Sequence, residues 1–373
     1  MRVRHIRLAL AGAALTAASF VAWLGHPAAM AAEAQLNVYN WSDYIAHDTV
    51  SNFEQQTGLT VKYDSYDSDD TLQAKLLSGS SGYDIVVPTS SYMARQIQAG
   101  VYQKIDRAQL PNLAHLSPVL MKRLEEADPG NQYGVPWAYG TDGIGYNVEA
   151  VRKALGKSAP VDSWALVFDP ANMARLKSCG VSFLDQPSDV FAAALQYLHK
   201  DPNSANPADY HAAFDMLRKV RPYITQFNSS GYINDLVNHD VCVSLAWSGD
   251  VGIARRRAQE AHLPYEIRFA NVREGGLLWF DMMVIPKDAP HPQAAMKWIN
   301  YILQPKVSAS ITNAVFYPGA NHGARALIAP ALAQDPSLYP ADEVLSRMSL
   351  MRPVPPEVHR LMNRLWAQLK TGH

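Results

Sequence analysis

The chain has 373 residues, enough of them hydrophobic (48%) to fill real cores, and 33 basic against 34 acidic side chains give a formal charge of −1 at neutral pH. That length exceeds what a single core usually serves and favours two domains. The balanced charge, with no run of five like charges and no basic stripe, argues against nucleic acid or an anionic membrane surface as partner.

Residues 1–32 contain no acid, open with Arg2, Arg4, His5 and Arg7, turn apolar from residue 8 to 24 and close in alanine-rich sequence. This is the pattern of a secretory signal peptide. Ala29-Met30-Ala31 offers a cleavage site after Ala31, and a cut after Ala32 is an equal alternative. The apolar run is short and ends at Gly25-His26-Pro27, which disfavours a retained anchor, and no cysteine stands near the cut for lipid attachment. The mature chain, with 30 basic against 34 acidic residues, is expected in the periplasm with no membrane insertion.

Beyond the leader, short apolar runs alternate with helical patterns, an α/β arrangement. Residues 36–40 predict a strand, 49–57 a helix, 59–66 a strand, and Ser68-Asp69-Asp70 caps a helix through Leu77. Residues 83–88 predict a buried strand and 91–99 a helix, completing βαβαβα in a parallel-sheet lobe. A second α/β set follows, with strands at 143–147, 180–184 and 241–246 and helices at 189–200, 208–220 and 251–261. Residues 277–286 are strongly strand-like, one long helical pattern runs from Pro292 through the 310s, and 355–370 is amphipathic with Val358, Leu361, Leu365 and Leu369 on one face.

Cys179 and Cys242 are the only cysteines, and an oxidising compartment favours joining them. Each opens a buried-strand candidate, so adjacent strands would bring the sulfurs together. A bridge closing about 60 residues contributes roughly 4 kcal/mol in the chain-entropy model.

Four predicted strand ends place an acid beside aromatic residues: Asn40-Trp41-Ser42-Asp43-Tyr44, Phe183-Leu184-Asp185 with Asp189, Trp247-Ser248-Gly249-Asp250, and Trp279-Phe280-Asp281. Ligands of open α/β sheets gather beyond the carboxyl ends of strands. Acids with aromatic faces suit a cation on an alkyl chain, the rings covering methylenes and the carboxylates holding ammonium groups. Asp43, Asp189 and Asp250 each also precede a helical pattern, where a carboxylate can cap the N-terminus. Asp281 lies inside an apolar strand, where an unpaired charge is costly.

These motifs, with Tyr83-Asp84-Ile85-Val86-Val87-Pro88, Gly143-Ile144-Gly145-Tyr146-Asn147, Tyr232-Ile233-Asn234-Asp235-Leu236 and Phe316-Tyr317, resemble the periplasmic putrescine/spermidine-binding proteins of polyamine ABC transporters along essentially the whole mature chain. The resemblance implies a two-lobed type II periplasmic-binding-protein fold, each lobe a mixed, mostly parallel sheet flanked by helices, with the cleft at the hinge. The expected lobes are 36–140 with 281–330, and 141–280 with 331–373. It implies a polyamine ligand, an inner-membrane ABC transporter permease as partner, a monomer, no cofactor and no enzymatic activity. Its ligand site would comprise Trp41, Ser42, Asp43, Tyr44, Thr89, Asp189, Trp247, Asp250, Trp279, Asp281 and Tyr317, with Trp247 and Trp279 on the methylenes and Asp250 and Asp281 on the ammonium groups. Asp189 stands where similar putrescine binders carry glutamate, Thr89 where they carry serine, and Trp279 where some carry phenylalanine. The likeness also supports the Cys179–Cys242 bridge.

Other chemistry finds little support. Gly156-Lys157-Ser158 matches the end of a phosphate-binding loop, but Val151 occupies its required glycine. The glycines of Gly140-Thr141-Asp142-Gly143-Ile144-Gly145 are misspaced for a dinucleotide site and suit a turn or hinge. The 12 histidines show no metal-ligand spacing, and no G-x-S-x-G occurs. One reading from another class stays open, a secreted hydrolase using Asp250 and Asp281 as an acid/base pair.

Overall fold

In the computed structural model, which describes residues 35–372, ten strands hydrogen-bond into one sheet. The leader predicted for residues 1–32 lies outside the described residues. In chain order the strands are β1 (Gln35–Trp41), β2 (Thr60–Tyr66), β3 (Ile85–Val86), β4 (Gly134–Asn147), β5 (Val181–Phe183), β6 (Gln226–Phe227), β7 (Val243–Trp247), β8 (Ile267–Ala270), β9 (Leu277–Val284) and β10 (Ser349–Leu350). Their order is β2-β1-β3-β9-β4-β7-β5-β6, with β10 on β9 and β8 on β4. β1 runs parallel to β2 and β3, and β5 parallel to β6 and β7. Between these parallel groups, β9 and β4 pair with each other and with their flanking neighbours in antiparallel sense.

The first crossovers are α1 (Thr49–Thr57), α2 (Asp69–Leu77) and α3 (Ser90–Gln98). α1 ends at Gly58, whose φ of 72° is the left-handed conformation glycine adopts without a Cβ penalty. Ser68 caps α2 by accepting from the Thr71 amide, as its sequence predicts.

Packing divides the interior. One core gathers Trp164, Phe168, Phe183, Phe191 and Leu245 around β5 and β7, and another gathers Leu36, Phe53, Ile85 and Trp298 around β1 and β3. A smaller cluster holds Leu72, Val86, Phe280 and Met282. β9 explains why its sequence lacks polar alternation: Leu277, Trp279 and Met283 face the second core while Leu278, Phe280 and Met282 face the third cluster, so both faces are buried. β4 is buried along all 14 residues.

Several elements differ from expectation: β6, β8 and β10 were not anticipated, and three others take a different form. The strand predicted at 143–147 starts back at Gly134, because a bulge between Pro136 and Ala138 absorbs the missing proline donor. The single helix expected from Pro292 is two, Pro292–Ile302 and Pro305–Val315, since Pro305 lacks the N–H that would continue the ladder. The strand expected over 83–88 pairs only at Ile85–Val86. Cys179 and Cys242 stand just ahead of β5 and β7, whose register sets Val181 opposite Val243, and the two cysteines form a disulfide with Cα atoms 5.4 Å apart. No helix among the described residues is long and apolar enough to cross a membrane.

Candidate functional site

The carboxyl ends of β1, β5 and β7 and the middle of β9 converge where the two large cores meet. After β1 the chain turns through Asp43 (φ 54°), a left-handed conformation that aspartate tolerates better than most residues, and the turn sends Tyr44 inward. Thr89 immediately precedes α3, Asp189 lies in the first turn of the helix Pro187–Tyr197, Trp247 ends β7, and Asp250 lies in the first turn of the helix Ser248–Glu260. Trp279 and Asp281 share one face of β9 by the period-2 rule. Tyr317 follows Phe316, whose φ of 62° closes the helix Pro305–Val315.

All eleven residues singled out from sequence line one cleft of about 770 Å³, measured out to its mouth. Tyr66, Asp67, Asp69, Ser91, Gln186, Ser188, Ser229, Ser230, Ile233 and Met351 complete the lining. The sequence reading missed these. It takes Asp69 only as a cap-region acid, although Tyr66, Asp67 and Asp69 close a predicted strand with an aromatic and two acids and Gln186 and Ser188 lie between Asp185 and Asp189.

Among the described residues the lining contains six aspartates, at 43, 67, 69, 189, 250 and 281, and no lysine, arginine or histidine. Asp281 is 3% exposed; its Oδ2 accepts from the Tyr44 hydroxyl at 2.7 Å, while its Oδ1 is buried without a partner. Asp250 accepts from Tyr317 at 2.6 Å and from Tyr232 at 2.9 Å. Asp189 accepts from the Trp247 indole at 2.9 Å and from Ser188 at 2.9 Å. Asp69 grips Thr89 with both oxygens, accepting from its amide at 3.1 Å and its hydroxyl at 2.8 Å. The capping alternative therefore does not describe Asp189 or Asp250: neither helix has a side-chain cap bond, and both carboxylates are bound by aromatic and hydroxyl donors. Asp43 lies five residues before Asp48, the N-cap position of α1.

Burial disfavours the charged form of these acids. It raises Asp69 from 3.8 to about 7 against the opposing Thr89 bonds, and Asp189 and Asp250 to about 6 against their own donors. Asp281 is held well above the ordinary carboxylate range by burial, with the Asp69 and Asp189 charges adding to the effect. A concentration of raised carboxyl pKa values in one cleft marks a functional site on physical grounds.

The aromatic wall is continuous. Trp41 meets Trp247 edge-on at 6.2 Å, Trp247 meets Trp279 at 6.5 Å, Trp279 meets Tyr317 at 5.6 Å, and Tyr317 meets Tyr44 at 4.9 Å. Each indole N–H is fixed: Trp41 donates to the Val87 carbonyl at 2.9 Å, Trp247 to Asp189, and Trp279 to Asp142 at 2.8 Å. The arrangement offers negative charge at several points along an apolar slot, the complement of an extended organic cation.

A family model described as bacterial extracellular solute-binding protein matches residues 48–340. The chain is 47% identical over 337 residues to the putrescine-binding periplasmic protein SpuD of Pseudomonas aeruginosa (strain UCBPP-PA14), covering 90% of this chain and 92% of that protein. It is 46% identical over 338 residues to the putrescine-binding periplasmic protein PotF of Escherichia coli (strain K12), covering 90% and 91%. Among solved structures, the TpPotD lipoprotein of Treponema pallidum superposes with a TM-score of 0.75 at 26% identity, covering 90% of this chain and 99% of that one. The fold is that of the type II periplasmic binding proteins.

Proposed function

We propose that this chain, which belongs to the bacterial extracellular solute-binding proteins, captures a short polyamine such as putrescine or spermidine in the periplasm and delivers it to an inner-membrane ABC transporter. One observation carries the reading: six aspartates and no basic side chain line an aromatic-walled slot. A neutral or anionic solute would leave those carboxylates uncompensated, whereas ammonium groups pair with them. The names of the relatives, putrescine-binding periplasmic proteins, support the same class of solute.

Magnitudes separate the roles. Four buried methylenes contribute roughly 3 kcal/mol, less than the entropic cost of association, so the indoles alone do not make a tight site. The carboxylates supply the remainder and the selectivity. In this reading Asp281, with one oxygen held by Tyr44 and the other unpartnered, takes one ammonium group, and Asp250 takes another. Trp247 and Trp279 cover the methylenes between them, and Trp41, Ser42, Asp43, Tyr44, Thr89, Asp189 and Tyr317 complete the enclosure.

Delivery follows from closure. The lobes, taken as 36–140 with 281–330 and 141–280 with 331–373, move about the long β4 and β9 pair, and a solute touching both shifts an open and closed equilibrium toward closed. Trp247 packs against both large cores, so it reports that movement. Titration calorimetry with putrescine, cadaverine, agmatine, spermidine and spermine tests the proposal. Stoichiometric binding without turnover is the expected result; binding to none of the five, or turnover of a glycoside or ester panel, overturns it.

A further inference from the structure

The segment Gly140-Thr141-Asp142, which sequence reading assigned to a turn or hinge, is straight β4 backbone and has another use. Asp142 is completely buried and stands outside the cleft lining, yet it bonds one of the cleft's indoles and is paired across the sheet with the residue that carries another. Across β9 its Oδ1 accepts the Trp279 indole N–H at 2.8 Å; across β7 its register partner is Trp247. Among the described residues its Oδ2 has no hydrogen-bond partner, so the protein retains a desolvated carboxyl oxygen at a cost in stability.

Gly140 completes the arrangement. It is the register partner of Trp279, and a methyl at that position would lie 2.4 Å from the indole's six-membered ring. The missing side chain leaves the ring its space and the buried acid holds its N–H. A phenyl ring in the same place would need no acceptor.

We infer that Asp142 is a positioning residue of the cleft which, with Gly140, forms a socket that fixes the Trp279 indole against the aromatic wall and thereby sets the solute affinity. This deepens the polyamine reading and rests on it for the solute class. Burial, reinforced by the Asp189 charge, pushes the Asp142 carboxyl well above the ordinary range, and asparagine is the near-isostere that keeps an oxygen to accept the indole N–H.

Two measurements test the socket. The first needs no ligand: the indole N–H resonance of Trp279, assigned with Trp279→Phe, is followed by NMR in the full-length mature protein. In Asp142→Ala and in Gly140→Ala it should shift and exchange faster with solvent, while Asp142→Asn preserves slow exchange; a resonance unmoved in Asp142→Ala overturns the inference. The second is calorimetric titration with putrescine and spermidine. Asp142→Ala should weaken binding about tenfold or more, Asp142→Asn by no more than about threefold, and Asp142→Ala should add nothing in a Trp279→Phe background, because a residue acting only through Trp279 has a fully coupled effect. An equal loss in both backgrounds marks a general structural role and overturns it. If the wild-type protein binds neither amine, the polyamine proposal fails while the resonance still decides the socket.

Discussion

Tyr44 donates its hydroxyl to Asp281 Oδ2 at 2.7 Å, which leaves the other carboxylate oxygen, buried and unpartnered, as the free half of that pair. The first prediction follows from that division. Asp281→Ala and Asp250→Ala should each weaken polyamine binding by about 2 to 5 kcal/mol, the usual loss when one partner of a buried charge pair is removed. Calorimetry on folded variants measures it, and wild-type affinity in both would remove these two residues from the site.

Affinity should rise with pH. Asp69 titrates at about 7 and Asp189 and Asp250 at about 6, so below those values the carboxyls hold protons that an incoming ammonium must expel. Binding near pH 5 is therefore weaker than near pH 7.5 and releases protons, detectable in buffers of different ionisation enthalpy. The ligand-free protein shows the opposite trend. Its raised carboxyl pKa values mean that the folded state binds more protons than the unfolded one between about pH 4 and 7, so their contribution to stability falls as pH rises through that window. Asp69→Asn should flatten the slope in thermal melts.

Gly249 is required by Tyr317. A methyl on Gly249 would lie 2.4 Å from the phenol ring, and the displaced ring would lose its 2.6 Å bond to Asp250. Gly249→Ala should cost about 1 to 3 kcal/mol of stability through overpacking and weaken binding by about tenfold. Tyr317→Phe keeps the ring and removes the hydroxyl, which donates to Asp250 Oδ1 and accepts the Asp250 backbone N–H at 3.2 Å, so it should cost about 1 to 3 kcal/mol in affinity with a smaller fall in melting temperature than Gly249→Ala. Equal melting and binding changes in the two variants would contradict this separation.

The disulfide should matter to stability and not to recognition. Cys179 and Cys242 stand at the amino ends of β5 and β7, whereas Trp247 closes the carboxyl end of β7 and Asp189 and Asp250 lie beyond the carboxyl ends of the two strands. Replacing both cysteines with alanine opens a loop with a sequence separation of 63 and should lower stability by about 4 kcal/mol in the chain-entropy model. Denaturant unfolding reads the first effect, and calorimetry at 25 °C should show affinity within about twofold of wild type.

The periodic elements were legible because local pattern and packing agree. α1 occupies Thr49–Thr57 as its sequence predicts, and β9 follows its apolar run. β4 was legible only in its last third, since Pro136 and Gly140 read as punctuation until one sees that a bulge absorbs the proline and an indole fills the space beside the glycine. At the cleft the same distinction holds. Acids flanked by aromatics at strand ends announced Asp43, Asp189, Asp250 and Asp281; Asp69 follows Tyr66 at a strand end with the spacing of Trp247 and Asp250 and went unread, while Asp142, inside a strand, acquires its surroundings only when distant strands pair. Met351 reaches the cleft from a segment with no chemical signature of its own.

A slot walled by aspartates with no lysine, arginine or histidine among them also has a standing relationship with the surrounding medium. Whatever fraction of its carboxylates is ionised must be neutralised by counter-ions such as sodium or potassium, and an arriving organic cation displaces them. Apparent affinity consequently declines as ionic strength increases, and any dissociation constant for this protein belongs to the salt concentration at which it was measured.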